Sequence, residues 1–227
     1  PVISAAAASR VFGSGVSTVT AVNGVDLEVS SGEFLVLTGR SGSGKTTLLN
    51  LLSGLDRSTS GTVLFQGADL ARLPERDLVE LRRRKIGFVF QSFGLMPLLS
   101  AQENVELPLH IVGVAWRERR RRAQELLESV GLGARARHRP YELSGGEQQR
   151  VSIARALVAN PEVVFADEPT GELDTATARS IADTLCDIAS RNTTVIVATH
   201  DLDLAAVAHR RLEMVDGSII NPDINPE

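Results

Sequence analysis

Long apolar runs are missing from this sequence. No stretch of about 18 or more apolar residues occurs, which excludes a bilayer-crossing helix within these residues. Cysteine is almost missing too. Cys186 stands alone, so no internal disulfide can form, and that usage fits a reducing compartment. In its apolar surroundings, Ile181 to Ile188, it reads as a small buried residue rather than a nucleophile. The stretch Pro1 to Arg10 has no basic segment leading into an apolar core, which predicts no secretory signal peptide. Any membrane role would need a second polypeptide. There is no internal repeat, no low-complexity tract and no Gly/Ser linker long enough to separate domains. A basic excess is also lacking: the formal net charge is -4, which argues against a nucleic-acid partner.

What is present is ordinary globular composition, 43% hydrophobic and 23% charged over 227 residues. That length suits one large domain, or one core carrying an inserted subdomain, and it buries a sizeable core without staples. The apolar runs Phe34 to Thr38, Ile86 to Phe90, Val163 to Ala166 and Val195 to Thr199 are short and β-branched. They suit parallel strands covered on both faces. Helical periodicity lies between them, at Lys45 to Leu52, Trp116 to Val130, Glu147 to Ala159 and Ala176 to Ala189. The alternation predicts an α/β sheet. Nearer the start, Thr18 to Val22, Val25 to Val29 and Thr62 to Phe65 predict an antiparallel β-layer, with turns at Asn23-Gly24 and Ser31-Gly32. Residues 92–157 read as helix only. They hold ten Arg against seven Glu and no Lys or Asp, three net positive charges, so the rest of the chain carries seven net negative. This shift predicts a helical insertion, 92–157, in a core formed by 1–91 and 158–227.

Gly39-Arg40-Ser41-Gly42-Ser43-Gly44-Lys45-Thr46 follows a strand and opens a helix at Thr47, the setting that a phosphate-binding G-x-x-x-x-G-K-[ST] loop requires. Glycines let the backbone wrap phosphates with N–H groups inward, and the helix N-terminus adds partial positive charge. Lys45 is the candidate for the β- and γ-phosphates, and Thr46 for Mg²⁺. Asp167 and Glu168 end the apolar strand beginning at Val163. A carboxylate at that edge faces the phosphate loop in such sheets. Asp167 suits metal holding, and Glu168 suits the general base that takes a proton from water.

Leu143-Ser144-Gly145-Gly146-Glu147 has two readings. Ser144 and Glu147 form a capping box. Yet two glycines in a first helical turn cost stability, so something must approach the backbone closely. A serine hydroxyl and bare N–H groups also make an anion site. The same residues can cap in one state and bind a γ-phosphate in another.

With these stretches the chain resembles the ABC ATPase family over nearly its whole length, and Leu143 to Glu147 matches the family signature. The resemblance implies a P-loop NTPase (RecA-like) core with an antiparallel β-layer and an inserted helical subdomain. It implies Gln91 as the Q-loop glutamine contacting Mg²⁺, His200 as the switch histidine at the γ-phosphate, and Asp174 of Gly171-Glu172-Leu173-Asp174 as the D-loop aspartate. Phe12 is the candidate for stacking on adenine and Val22 for the ribose side. Two departures are Glu172, where relatives often carry a small or amide residue, and Arg40 within the phosphate loop. The implied mechanism is a head-to-tail dimer, the phosphate loop of one copy and Ser144, Gly145, Gly146 and Glu147 of the other closing on one ATP.

One set of motifs implies a second chain, most simply another copy. Little sequence follows His200, which predicts no regulatory tail of the sugar-importer kind. Two tandem cassettes and a long coiled coil, features of translation-factor and chromosome-structuring relatives, are also missing. Leu52 to Asp56, Leu81 to Phe90, Glu103-Asn104-Val105 and Ala166 to Gly171 are similar to the small ATPases of lipoprotein release, macrolide-type efflux and cell-division complexes. That implies an integral membrane partner, mechanotransmission or export, and a cytoplasmic location on the inner membrane face. The alternative is a regulatory ATPase gating an envelope or division partner without transport. Phe93 to Leu98 either receives a partner's coupling helix or packs the helical subdomain. The basic runs Arg82 to Lys85 and Arg117 to Arg122 read as solvated helix faces, or as contacts for lipid headgroups or an acidic loop.

Overall fold

The computed structural model describes residues 1–13 and 17–224, with side chains described up to residue 220. The first layer is antiparallel: β1 (Ile3–Phe12), β2 (Val19–Val29), then, after the main sheet has begun, β4 (Ser60–Phe65) and β5 (Ala68–Asp69), in the order β2-β1-β4-β5. The main sheet is built from β3 (Phe34–Thr38), β6 (Ile86–Val89), β7 (Val163–Asp167), β8 (Thr194–Ala198), β9 (Arg210–Val215) and β10 (Ser218–Ile224). Its order is β10-β9-β3-β8-β7-β6, all parallel except the β10 and β9 pair. The helices are α1 (Lys45–Leu52), α2 (Glu75–Lys85), α3 (Ala101–Ile111), α4 (Trp116–Ser129), α5 (Gly145–Leu157), α6 (Thr175–Ser190) and α7 (Leu202–Ala206).

The strands β3, β7 and β8 are buried along nearly their whole length, as their unbroken apolar runs require. One face of the main sheet packs on α1 and the β-layer through Leu35, Leu37, Leu48 and Phe165. The other packs on α6, whose Ile181, Leu185 and Ile188 recur at three- and four-residue spacing. Burying one such side chain contributes roughly 1.5–3 kcal/mol. Cys186 is half-buried against this second cluster. A third cluster, from Ala101 to Val158, fills the space among α3, α4 and α5. Helix α5 serves both: Val151, Ala154 and Val158 face the third cluster, while Ile153 and Ala156 face the sheet.

The expected hairpin at Asn23-Gly24 is not there. Val19–Val29 is one strand, paired along β1 with a register shift between the Ala8–Val25 and Arg10–Val22 pairs. Gly24 sits at φ 59°, and its N–H is donated to Ser9 Oγ at 2.9 Å. The turn-like dipeptide is therefore a bulge, which a left-handed glycine permits. The Ser31-Gly32 turn does occur, leading from β2 into β3.

Candidate functional site

A cleft of about 880 Å³ opens at the carboxyl ends of β3 and β7. Residues 40–47 wall one side; Gln91, Asp167, Glu168 and His200 wall the other. The glycines of the loop are spatial necessities. A Cβ on Gly39 would lie 2.3 Å from Met214 O, and one on Gly44 would lie 2.1 Å from Ala21 O. Gly39 and Gly44 also hold φ at 148° and 99°. Helix α1 starts with Gly44 as a cap that has no side chain to give, and its first turn contains no acid. Its leading N–H groups therefore lack both an intrahelical carbonyl and a side-chain acceptor, as a phosphate site requires.

Lys45 is buried, and its Nζ donates to Gly39 O at 2.8 Å and Arg40 O at 3.1 Å. The ammonium is thus held inside the loop by its own backbone. Thr46 Oγ1 donates to Asp167 Oδ1 at 3.1 Å. Burial pushes the Asp167 carboxyl above its ordinary value, and neighbouring Glu168 adds to this, against the Thr46 hydroxyl and Lys45. A partly desolvated carboxylate with a single hydroxyl donor is suited to a cation. Among the described residues no three His, Cys, Asp or Glu side chains could hold a metal by themselves.

Glu168 has φ 46°, rare for a residue with a side chain. Its N–H is tied to Ala198 O at 2.8 Å. Its carboxylate Oε2 accepts from Thr199 Oγ1 at 2.8 Å and from His200 N at 3.3 Å, and lies 3.0 Å from His200 Nδ1. Thr199 in turn accepts from Asp201 N at 3.0 Å, and Thr170 donates to Asp201 Oδ2 at 2.8 Å. Asp201 thus links Thr170, through its carboxylate, to Thr199, through its backbone N–H, and Thr199 to the Glu168 carboxylate.

The Leu143 to Glu147 stretch lies outside this cleft. Ser144 Oγ accepts from Glu147 N at 3.3 Å, and Glu147 Oε2 accepts from Ser144 N at 2.8 Å. That backbone bond, more than the serine hydroxyl or Arg135, holds the Glu147 carboxyl below its ordinary value. The close approach expected at the glycines is internal: a Cβ on Gly146 would lie 2.3 Å from Thr177 Cγ2. Thr177 belongs to α6, whose cap is Asp174. Asp174 accepts from Thr177 Oγ1 at 2.6 Å and Thr177 N at 3.1 Å, the hydroxyl bond being the larger cause of its lowered pKa. Asp174 therefore also stands apart from the cleft.

Val22 needs correction. It is fully buried in the core, and the cleft is lined instead by Ala21, Thr20 and Val19. Phe12 is 42% exposed at the end of β1, opposite Val19, with the Arg10 guanidinium 4.5 Å from its ring centre. It does not line the cleft.

Other residues of this region were not singled out from the sequence. Arg155 of α5 donates to Phe93 O at 2.9 Å and also bonds Gly94 O, and burial lowers its pKa. Gln149 Nε2 donates to Pro169 O at 2.6 Å, next to Glu168. Thr199 holds Glu168. No sequence signal marked them, because burial is not visible in the name of a polar residue such as Gln149 or Arg155. Helix α5 is thereby tied to the segment after Gln91, to the turn after Asp167, and to α6. Asn104 is buried, accepts from Met96 N at 2.7 Å and donates to Met96 O, Leu99 O and Ser100 O. It fixes the loop in which Leu95 packs inward on the helical cluster while Met96 and Leu98 are exposed.

A sequence model of the family described as "ABC transporter" matches residues 22–171. The macrolide export ATP-binding/permease protein MacB of Marinobacter nauticus is 46% identical over 220 residues, covering 97% of this chain and 34% of that protein. The chain thus spans about a third of the length of that relative. An uncharacterized ABC transporter ATP-binding protein of Thermotoga maritima is 49% identical over 210 residues, 92% of this chain and 90% of the relative. Among solved structures, the ATP-binding cassette MJ0796, a dimer in a post-hydrolysis state bound to ADP and Pi, superposes with TM-score 0.91 at 39% identity, covering 99% of each chain.

Proposed function

This chain belongs to the ABC transporter family, and from that premise we propose that it binds and hydrolyses ATP as one half of a head-to-tail dimer and drives a separate membrane subunit. The observation that carries this is the division of the motifs. The phosphate loop, Asp167, Glu168, Gln91 and His200 share one cleft, while Ser144 to Glu147 is held outside it. A second copy supplies the missing helix N-terminus.

In this reading the α1 N–H groups and Lys45 bind the β- and γ-phosphates, and Phe12 stacks on adenine after moving toward the cleft. Thr46, Asp167 and Gln91 offer hard oxygen donors, which suits Mg²⁺ held by one carboxylate and phosphate oxygens. When bound, that ion neutralises charge developing on the transferred phosphoryl group. Glu168 takes the proton of the attacking water. His200 and Thr199 keep its carboxylate oriented, and His200 reaches the γ-phosphate. Ser144, Gly145 and Gly146 of the opposite copy close over the γ-phosphate as their capping box loosens. Asp174 lies beside that seam through Thr177 and Gly146. The catalytic core is 1–91 with 158–227, and 92–157 carries the signature.

Among the described residues no helix is long and apolar enough to cross a membrane. The membrane partner would dock in a groove of about 360 Å³ that includes Leu55, Phe88, Phe90, Leu107 and Ile111. Gly94 and Arg155 form part of its wall. A partner helix there would press on the segment after Gln91 and, through Arg155, on the signature helix. The chain would then sit on the cytoplasmic face of the membrane, in an export or mechanotransmission complex; relatives named for macrolide and pyoverdine export support the former. Purified protein with ATP and Mg²⁺ should release inorganic phosphate, and EDTA should end the release. Absence of release at any protein concentration would overturn the reading.

A further inference from the structure

The helical subdomain carries a second cavity, of about 650 Å³, remote from the nucleotide cleft. It lies between the first half of α4, the start of α3 and the 133–138 segment. Four arginines line it, Arg117, Arg120, Arg121 and Arg137, together with Trp116, and no carboxylate does. Arg121 is committed to Glu118 and Glu125 at 2.8 and 2.6 Å. Arg117, Arg120 and Arg137 have no acidic partner among the described residues. The Arg120 guanidinium lies 5.4 Å from the centre of the Trp116 ring, and Trp116 remains 54% exposed.

Guanidinium groups that line one cavity repel one another, and their forked donors match phosphate oxygens. A chain with net charge -4 that gathers three unpaired cations around a concave wall has made a local anion sink. All three are exposed at the cavity, whereas Arg119, Arg121 and Arg122 of the same helix are each paired with a carboxylate. The cavity volume is that of a small-molecule site. The exposed indole offers a stacking or apolar surface beside the charge. We infer that this cavity is a binding site for a phosphate-bearing ligand that also presents planar or apolar surface, such as a nucleoside polyphosphate or an anionic phospholipid headgroup. The site is independent of the catalytic cleft. Its wall continues toward the signature: His138 Nε2 lies 3.2 Å from Arg135, which pairs with Glu147 at 3.4 Å.

Trp116 is the one tryptophan of the chain, so its fluorescence reports on this cavity alone. The test titrates the Lys45→Ala chain, whose catalytic cleft is weakened for ATP, with ATP and separately with vesicles containing anionic phospholipid. A saturable change with ATP, weakened at least tenfold by Arg117→Glu with Arg137→Glu, assigns a soluble polyphosphate. A change with anionic vesicles alone, equally sensitive to those substitutions, assigns a headgroup. The pair Arg117→Gln with Arg137→Gln should weaken either response less, which separates charge from misfolding. No response to either probe, or one unchanged by the arginine substitutions, overturns the proposal.

Discussion

Two helices of this chain begin on glycine-rich turns, and they leave their N-termini in opposite states. Helix α1 starts from Gly44, with no side-chain cap and no acid in its first turn. Helix α5 starts from Ser144, with its capping box closed by Glu147. The first end is open to a phosphate in a single chain. The second is satisfied by its own residues and gives that satisfaction up only to something better. Two carboxylates divide the same way: burial raises Asp167, while hydrogen bonds within the capping box lower Glu147. In the proposed reading, the first end takes phosphate within its own chain, and the second stays capped until a second copy brings phosphate to it.

The largest effect should come from the reacting end. Glu168→Gln removes the proton acceptor, and general-base catalysis typically contributes about 10²–10⁴-fold. Phosphate release should fall by roughly that factor while ATP binding, measured by calorimetry, persists. Next, Lys45→Ala removes a charge-assisted contact of about 1.5–3 kcal/mol. ATP affinity should drop on the order of 10–100-fold, with the fold intact by circular dichroism.

The latched end is then tested by stability. Gly146→Ala drives a methyl into Thr177 Cγ2 and should cost about 1–3 kcal/mol in urea denaturation. Thr177→Ser removes that methyl and keeps the hydroxyl on Asp174, so the double variant should regain most of the loss. A smaller, signed effect separates the two carboxylates. The pKa of Glu147 is lowered on folding, so its contribution is present above the ordinary carboxylate range, about 4.3, and is lost as pH falls through the folded value. That of Asp167 is raised, so its contribution is present below its unfolded value and is lost as pH rises through the folded one. Glu147→Gln should therefore lower stability at neutral pH and flatten its acid limb. Asp167→Asn should raise neutral-pH stability while abolishing Mg²⁺-dependent hydrolysis.

How much of this was legible in the sequence follows from how local each feature is. The phosphate loop, α1 and the strands β3, β6, β7 and β8 were readable to within a residue or two, because spacing and burial act along a continuous segment. Strand β1 was not, since Ala5 to Ala8 has weak strand preference and is held by its neighbours on both sides. The Asn23-Gly24 bulge wore the residues of a hairpin turn. Val22 was one residue off, because whether β2 faces the cleft or the core at that point is decided by packing from other elements. Arg155, Gln149 and Thr199 were invisible as links because each binds a carbonyl or carboxylate far along the chain or in another element.

The most direct test is sedimentation of the Glu168→Gln chain with and without ATP, alongside Glu168→Gln carrying Ser144→Glu. The account predicts a dimer only with ATP, and a monomer that still binds ATP once Ser144 is replaced by a carboxylate facing the γ-phosphate. An ATP-loaded monomer of the Glu168→Gln chain, or a dimer indifferent to Ser144→Glu, would contradict it.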